Sequence, residues 1–579
     1  MVDYIDIISD FNKLNNSEYL KMISLARKLS KKDIVCNDTK IAIVGSYSTQ
    51  IIASVLKAKL LCSNIKAEIF EAEYNSLVSQ TLDSNSELYE FKPDYIIILP
   101  YYKDINIYPG LLASHEEVDD MVSNNISFYC NIWEKIAVQL PKCNIIQSNF
   151  VTPLEYELGT LESNTYYSKL NYYRLINMEL LKQHPSNVTI LDFDRIASYI
   201  GKNQWFDEVA YALNKTGFSL EFVGNVVDMM ISPIRINSGI IKKCLVLDLD
   251  NTLWGGVLAD EGIDGIDLDV NSAIGESFLN FQKYVLQLKN RGVILAVCSK
   301  NDHEIAKEPF LKNSKMILRY DDISCFVANW NNKADNLKLI ASTLNIGIDS
   351  LVFFDDNPME RDIVKEYLPE VLVIDVPEDP AKYVRVLSEA NPFDILNLTK
   401  VDLNRNQSYN LQKQLKEVQK NFVDYNEYLD SLEMKMTCTV TDKARLARFL
   451  QLTNKSNQFN LCTKRYTESQ INDMYESSAY ILLSIALSDK FCDYSDIASV
   501  VLRIEDSTCI IENWVMSCRV LKRGVEDFTF SEIINIARKN GCRVIRGEYI
   551  QTPKNKMVED LYEKLKFEVM TKNKFEYKV

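Results

Sequence analysis

Short apolar runs alternate with longer, helix-patterned stretches over the first part of the chain. The alternation predicts five strands, at residues 40–44, 67–70, 95–99, 144–147 and 189–191. Within residues 1–32, apolar positions recur at the spacing of one helix face, which predicts two helices broken near Asn15, Asn16 and Ser17. Strands separated by helices are typical of a parallel sheet, so an α/β fold is expected here.

Further along, three apolar runs end in side chains that can do chemistry. These candidates for buried strands are residues 244–247, 293–297 and 351–354. Asp248 and Asp250 follow the first run, Ser299 follows the second, and the adjacent Asp355 and Asp356 follow the third. Because chemistry in open α/β sheets sits at the carboxyl ends of strands, we expect these side chains to lie close together.

Paired carboxylates at such an edge can hold Mg²⁺ and leave one oxygen free to attack phosphorus. A single Asp-x-Asp after a strand is equally compatible with a plain acidic turn. Lys333, at the start of a predicted helix, completes the order acid pair, serine, lysine, acid pair. This set of motifs resembles that of the haloacid dehalogenase (HAD) phosphohydrolase superfamily.

The roles of the acidic residues follow from phosphoryl transfer, which depends mainly on positioning and charge neutralisation. Asp248 is the candidate nucleophile that forms an aspartyl-phosphate, and Asp250 is the candidate general acid and base. The resemblance implies that Mg²⁺ is bound by Asp248, by the backbone carbonyl of Asp250, and by Asp355 or Asp356.

Ser299 and Lys333, with Lys300 beside them, are expected to bind the phosphoryl oxygens. The spacers between Asp250 and Ser299, and between Ser299 and Lys333, are short and fully used by sheet and helix elements. They leave no room for an independent lid domain. An open site of this kind suits a large or tethered substrate.

The composition is that of an ordinary globular protein with several domains. A length of 579 residues suggests about three or four domains, and 47% hydrophobic with 25% charged residues is usual for this class. The formal net charge of −15 argues against general binding to nucleic acid or to anionic membranes. The sequence has no run of about 18 apolar residues and no signal-like N-terminus. Its 13 cysteines include no Cys-x-x-Cys pair. A cytoplasmic protein with reduced thiols is therefore expected.

The first unit has a partial resemblance to SGNH-type esterases. A strand that ends in Gly45 and Ser46 resembles the nucleophile block of those enzymes. The late block of those enzymes carries a histidine base. The matching stretch here is Trp205–Ala210, which has Ala210 where the base should be. A scaffold or docking domain is therefore expected rather than an esterase.

The last unit contains a basic, glycine-bearing turn ahead of an apolar helix at residues 528–537. The turn contains Arg519, Lys522, Arg523 and Gly524. Cations near a helix N-terminus suit a pyrophosphate or phosphopantetheine anion. A strand-to-helix loop with solvated charges is the plain alternative.

Several motifs together resemble the FkbH family. They read DLDNTLWGG, CSKND, NWNNKADNL, FFDDNPMERD, TNKSNQFNLCTKRYT and MSCRVLKRGVED. FkbH-like proteins join a HAD unit to an acetyltransferase-like (GNAT) unit. The resemblance implies capture of a glyceryl group from 1,3-bisphosphoglycerate, removal of phosphate, and delivery to the pantetheine thiol of an acyl carrier protein in polyketide or surface-polysaccharide pathways.

On that resemblance, Cys518 is the candidate thiol that holds the glyceryl group. The adjacent Arg519 would lower the pKa of the thiol, while a buried core cysteine is the plain alternative. Arg519, Arg523 and Gly524 are the expected pantetheine-binding residues. The family's loop has a glycine where this chain has Lys522, which leaves binding of CoA itself open.

The sequence thus predicts a multidomain α/β protein. Its expected parts are an SGNH-like domain (1–235), a Rossmannoid HAD domain without a cap (236–395), a helical connector (396–430) and a GNAT-like α+β domain (431–579). The expected function is Mg²⁺-dependent phosphatase-coupled glyceryl transfer to a carrier protein, with phosphopantetheine or CoA as a second cofactor. Two alternatives stay open, namely a phosphatase acting on a phosphorylated sugar precursor and a non-catalytic assembly scaffold.

Overall fold

The chain forms two compact units in a computed structural model. One unit comprises Met1–Asn237 with Thr467–Ser469, and the other comprises Ser238–Tyr466 with Gln470–Val579. The residues described are 2–32, 39–398, 403, 425–456, 458–490, 493–517, 520–521, 523–552, 555–571 and 573–579. Within these ranges no helix combines the length and apolarity needed to cross a bilayer.

The first unit is built on a parallel sheet with the order β2-β1-β3-β4-β5. Its strands are β1 Thr39–Gly45, β2 Ala67–Glu71, β3 Tyr95–Leu99, β4 Asn144–Ser148 and β5 Val188–Leu191. Its helices are α1 Val2–Asn12, α2 Tyr19–Ser30, α3 Gln50–Cys62, α4 Leu77–Leu82, α5 Glu87–Phe91, α6 His115–Gln139, α7 Lys169–Gln183, α8 Phe193–Ile200, α9 Lys202–Trp205, α10 Glu208–Asn214 and α11 Val223–Asn237. All five predicted strands are present, and the first two helices are separated where the break was expected.

The longest helix of this unit, α6, shows how local sequence sets a helix start. The Ser114 hydroxyl accepts a hydrogen bond from the Glu117 N–H at 3.2 Å, and the Glu117 carboxylate accepts one from the Ser114 N–H at 2.7 Å. This reciprocal pair satisfies two N–H groups that a helix start otherwise leaves without partners. The apolar face of α6, including Val118 and Trp133, is buried in the core between sheet and helices.

The second unit contains a further parallel sheet with the order β10-β9-β6-β7-β8. Its strands are β6 Cys244–Leu247, β7 Ile294–Ser299, β8 Cys325–Ala328, β9 Leu351–Phe354 and β10 Leu372–Val373. The helices that accompany it are α12 Leu258–Gly265, α13 Ala273–Asn290, α14 His303–Lys312, α15 Lys333–Leu344, α16 Pro358–Tyr367 and α17 Tyr383–Ala390. Every residue of β6, β7 and β9 is buried, as expected for parallel strands covered on both faces.

The C-terminal part of the second unit has a mixed, mostly antiparallel sheet with the order β11-β13-β14-β15-β16-β18-β17. Its strands are β11 Lys435–Val440, β12 Phe459–Asn460, β13 Tyr480–Ser488, β14 Asp493–Glu505, β15 Thr508–Met516, β16 Val544–Glu548, β17 Glu568–Thr571 and β18 Lys574–Lys578. Its helices are α18 Tyr425–Ser431, α19 Leu446–Lys455, α20 Glu468–Glu476, α21 Val525–Lys539 and α22 Leu561–Lys564. The predicted multidomain α/β fold with an α+β C-terminal part is confirmed. The connector expected over 396–430 lies largely outside the described residues.

One edge of β15 is covered by a segment from elsewhere in this sheet. β15 and β16 pair in parallel only as far as Ile511, which lies opposite Gly547. Beyond that point β15 pairs with β12 instead. The Ile550 N–H donates to the carbonyl of Leu461 at 2.9 Å, so this segment is bonded on its other side as well. Residues 459–461 therefore fill the gap that opens between β15 and β16.

Candidate functional site

Three carboxylates meet at the carboxyl edge of the second parallel sheet. The Asp248 N–H donates to the Phe354 carbonyl at 3.0 Å, which holds the ends of β6 and β9 side by side. One carboxylate oxygen each from Asp248, Asp355 and Asp356 lies within 4.8 Å of the others. Hard divalent cations such as Mg²⁺ prefer oxygen ligands grouped in this way.

Lys333 is the first residue of α15, and its side chain lies against this acidic cluster. Its Nζ is 3.0 Å from Asp248 Oδ2 and 2.5 Å from Asp355 Oδ2, and the side chain is almost fully buried. The Asn332 side chain accepts a hydrogen bond from the Ala334 N–H at 2.7 Å and thereby sets the start of α15. The side chain at the first position of α15 is thus directed to the two aspartates.

The charges at this site do not balance among the residues themselves. Burial alone would lower the pKa of Lys333, but the charges of Asp248 and Asp355 outweigh it and raise that pKa above its ordinary value. Burial and the neighbouring Asp248 raise the pKa of Asp355. One ammonium against three carboxylates leaves an excess of two negative charges when all three are ionised, which is the charge a divalent cation neutralises.

The cluster also contains a buried oxygen that lacks a protein partner. Asp248 Oδ2 faces Lys333, whereas Asp248 Oδ1 is buried and has no hydrogen-bond partner in the described part of the chain. A buried, unpaired carboxylate oxygen is costly unless something else binds it. The residues present therefore fit a Mg²⁺ ion bound by Asp248, Asp355 and Asp356.

Asp250 keeps its carboxylate outside this cluster. Asp250 Oδ1 accepts hydrogen bonds from Trp254 Nε1 at 2.9 Å and from the Leu258 N–H at 3.0 Å. Asp250 Oδ2 accepts a bond from Asn301 Nδ2 at 2.9 Å. Burial raises the pKa of Asp250, which these bonds partly offset. A carboxyl group held in this way can carry a proton beside the nucleophile. Because the Asp250 carboxylate lies outside the cluster, the backbone carbonyl of Asp250 is the group left for the predicted metal contact.

Several side chains that hold the acidic loops in place were not singled out from the sequence. Arg361 Nη1 donates to the backbone carbonyls of Asp355 and Asp356 at 2.8 and 2.7 Å. The Thr252 hydroxyl lies 3.3 Å from Asp356 Oδ1. Asn301 and Arg361 lie inside the quoted motifs, but their contacts depend on residues brought together only by folding.

The other predicted phosphate-binding residues lie on the neighbouring strand β7 or just after it. Ser299 is buried at the end of β7. The Lys300 ammonium forms an ion pair with Glu360 Oε1 at 2.5 Å. Glu360 belongs to the first turn of α16, so this pair joins the loops that follow β7 and β9. Binding of phosphoryl oxygens by Ser299, Lys300 and Lys333 stays a prediction.

In the first unit, Ser46 is engaged by a carboxylate. Its hydroxyl donates to Asp104 Oδ2 at 2.5 Å, and its N–H donates to the Leu99 carbonyl at 3.0 Å. The Asp207 side chain accepts a hydrogen bond from the Ala210 N–H at 2.8 Å, as the cap of α10. The non-catalytic role expected for this domain stays a prediction.

In the C-terminal part of the chain, three of the predicted site residues lie outside the described residues, namely Cys518, Arg519 and Lys522. Arg523 is buried, and its Nη1 is 3.0 Å from Asp489 Oδ2 and 3.2 Å from the Tyr494 hydroxyl. Its positive charge is therefore already neutralised by a buried carboxylate. Gly524 precedes α21 with φ +75°, a conformation that favours glycine, which agrees with the predicted turn. The pantetheine-binding roles of these residues stay predictions.

Comparisons with known proteins bear on this site. Residues 40–234 match the family described as FkbH, N-terminal domain. A crystal structure of the N-terminal part of the protein BF1531 from Bacteroides fragilis, containing a phosphatase domain and complexed with Mg, is 34% identical, with a TM-score of 0.60. The match covers 66% of this chain and 99% of that chain. The chain belongs to the FkbH family. It is thus a member of a phosphatase family. In the part of the chain covered by the match, its fold is that of the Bacteroides protein.

Other comparisons concern the fold of smaller parts. The ribosomal-protein-S18-alanine N-acetyltransferase from Escherichia coli is 12% identical, with a TM-score of 0.20, over 24% of this chain and 91% of that chain. A GNAT-family acetyltransferase from Streptococcus pneumoniae is 13% identical, with a TM-score of 0.20, over 25% of this chain and 99% of that chain. No curated protein matches the chain.

Proposed function

We propose that this FkbH-family protein is a Mg²⁺-dependent phosphatase that works through an aspartyl-phosphate at Asp248. The observation that carries the proposal is the group formed by Asp248, Asp355, Asp356 and Lys333. The relative from Bacteroides fragilis, which contains a phosphatase domain and was crystallised with Mg, supports the same assignment. Mg²⁺ bound by the three carboxylates would neutralise charge on the phosphoryl group.

The protein groups divide the reaction between them. An Asp248 oxygen attacks phosphorus as the bond to the substrate oxygen breaks, and the Asp250 carboxyl gives its proton to that leaving oxygen. Water then attacks the aspartyl-phosphate, Asp250 takes up the proton of the water, and inorganic phosphate leaves with the Asp248 carboxylate restored. Lys333 keeps the Asp248 carboxylate in place and lowers the repulsion between it and the dianionic substrate.

We further propose that this phosphatase serves glyceryl transfer. In this scheme the Cys518 thiolate attacks the acyl-phosphate carbonyl of 1,3-bisphosphoglycerate and displaces one phosphate. The site at Asp248 removes the second phosphate, and a carrier-protein thiol accepts the glyceryl group by thioester exchange. The support for Cys518 is its place in the Ser517-Cys518-Arg519 motif and the family membership of the chain.

The test is incubation with 1,3-bisphosphoglycerate, Mg²⁺ and a holo carrier protein, followed by intact-mass analysis. We expect a glyceryl increment on the carrier. Cys518→Ala should keep the 3-phosphatase activity of the protein toward a free phosphoester within about twofold, yet abolish loading. Cys509→Ala, which changes a buried cysteine in β15, is the matched control and should load normally. Normal loading by Cys518→Ala would remove this thiol from the scheme.

A further inference from the structure

The loop after β9 contributes two adjacent carboxylates to one site. Asp355 and Asp356 each place an oxygen within 4.8 Å of the other ligand atoms of the acidic cluster. In an extended strand, successive side chains point to opposite faces. A straight continuation of β9 beyond Phe354 would therefore turn one of the two carboxylates away from the cluster. The chain has to leave the extended conformation at this point.

Arg361 contacts the backbone where this change of direction occurs. Its Nη1 donates to the Asp355 carbonyl at 2.8 Å and to the Asp356 carbonyl at 2.7 Å. Successive carbonyls of an extended strand point in opposite directions, as the side chains do. Here both carbonyls accept from one nitrogen, so they are turned to the same side of the chain. Arg361 thus stabilises the turn that brings the two carboxylates together.

The chemistry of the guanidinium group suits this task. Hydrogen bonds from an ionised donor are roughly twice as strong as bonds between neutral groups. The N–H groups of arginine also lie in one rigid plane, so less conformational freedom is lost for each bond than with lysine. Arg361 acts on the backbone, and it can therefore fix the direction of the carboxylates without being a ligand itself.

The helix that carries Arg361 is anchored independently of its guanidinium group. The Asn357 side chain caps the first turn of α16. Glu360 forms its ion pair with Lys300 at 2.5 Å, and Val364 is fully buried in the core. Loss of the guanidinium group should therefore leave α16 in place and change the order of the acidic loop.

We propose that Arg361 is a positioning residue for the divalent cation, because its two bonds hold Asp355 and Asp356 in the orientation that binds Mg²⁺. The inference rests on the Mg²⁺ site of the proposed function and adds the group that sets the affinity of that site. Without these bonds the loop has to be ordered when the ion binds, and the cost of that ordering weakens the binding. The residues that react with the substrate stay the same.

The test measures Mg²⁺ binding to the full chain by calorimetry, without any substrate. We expect Arg361→Met to weaken Mg²⁺ binding by about 10- to 100-fold, the usual effect of removing a group that orients a metal ligand. Arg361→Lys keeps a charged donor and should recover part of this loss. An Arg361→Met protein that binds Mg²⁺ as tightly as the wild type would overturn the proposal.

Arg319→Met is the matched control for this substitution. Arg319 Nη1 also donates to a backbone carbonyl, that of Asn313 at 3.1 Å, but both residues lie in the connection between α14 and β8. That connection leads into the amino end of β8, whereas the acidic cluster is at the carboxyl edge of the sheet. The control variant should bind Mg²⁺ as the wild type does.

Phosphate release from 3-phosphoglycerate gives a second measurement. In the Arg361→Met protein, the Mg²⁺ concentration at half-maximal rate should rise by the same factor as the dissociation constant. At saturating Mg²⁺, kcat should stay within about threefold of the wild-type value, because the reacting groups are intact. A merely structural role would lower kcat at every Mg²⁺ concentration, and a loss that Mg²⁺ does not restore would contradict the proposal.

The binding measurement also separates this proposal from the phosphatase assignment. If the wild-type protein binds Mg²⁺ but releases no phosphate, while Arg361→Met binds the ion more weakly, the phosphatase proposal fails and the role of Arg361 stands. If the two proteins bind Mg²⁺ equally, the role of Arg361 is rejected whatever the turnover.

Discussion

Replacing Asp248 by asparagine is expected to lower phosphate release by at least about 10³-fold. The amide has the size of the carboxylate but cannot act as the anionic nucleophile, and it removes one of the three charges that fit Mg²⁺. The fold should persist, because Lys333 keeps its contact with Asp355. Phosphate release at saturating Mg²⁺ measures the activity, and hydrogen exchange of β6 and β9 measures the fold.

Asp335→Asn is the matched control for this substitution. Asp335 belongs to the first turn of α15, two residues after Lys333, but its carboxylate is 71% exposed and pairs with Lys338 at the surface. Its loss should leave phosphate release within about twofold, since exposed ion pairs contribute little. An Asp248→Asn protein with normal turnover would exclude Asp248 as the nucleophile.

Replacing Lys333 by methionine is expected to lower turnover by about 10²-fold, the effect of removing one preorganised positive donor from an active site. It should also lower the free energy of unfolding by about 3 kcal/mol, because Asp248 and the fully buried Asp355 lose their only cation in the described residues. Phosphate release and peptide-resolved hydrogen exchange report the two effects separately.

Lys338→Met provides the comparison on the same helix. Lys338 is 55% exposed, and its ion pair in the described part of the chain is with the surface carboxylate of Asp335. This variant should keep normal turnover and stability. If Lys333→Met kept normal turnover and stability like Lys338→Met, the contacts of Lys333 with the two aspartates would contribute to neither.

The parts of this site that sequence could predict are those set by local order along the chain. Asp248, Ser299 and Asp355 each follow an apolar run long enough to be a buried strand, and parallel strands bring such ends to one edge. Lys333 could be placed at a helix start because Asn332 is a good N-cap residue. Strand β10 was missed because two residues are too few for a recognisable apolar run. Strand β8 was not singled out, although it has the same length as β6 and β9.

The contacts that could not be predicted join residues far apart in the chain. Thr252 meets Asp356 across 104 positions, and Arg523 meets Asp489 across 34. Nothing in the local pattern around Arg523 distinguishes an arginine that binds a ligand anion from one neutralised by a buried carboxylate. The pairing of residues 459–461 with the edge of β15 could not be predicted either, because a two-residue strand is too short to show a periodic pattern of apolar residues.

The most direct test of the account is to trap the phosphorylated enzyme. The protein is mixed with substrate and Mg²⁺, quenched during turnover and treated with borohydride, which reduces an aspartyl-phosphate to homoserine. Peptide mass spectrometry should then find homoserine at position 248, only when substrate and Mg²⁺ are both present. Continued phosphate release with an unmodified Asp248, or with the modification at another residue, would contradict the account.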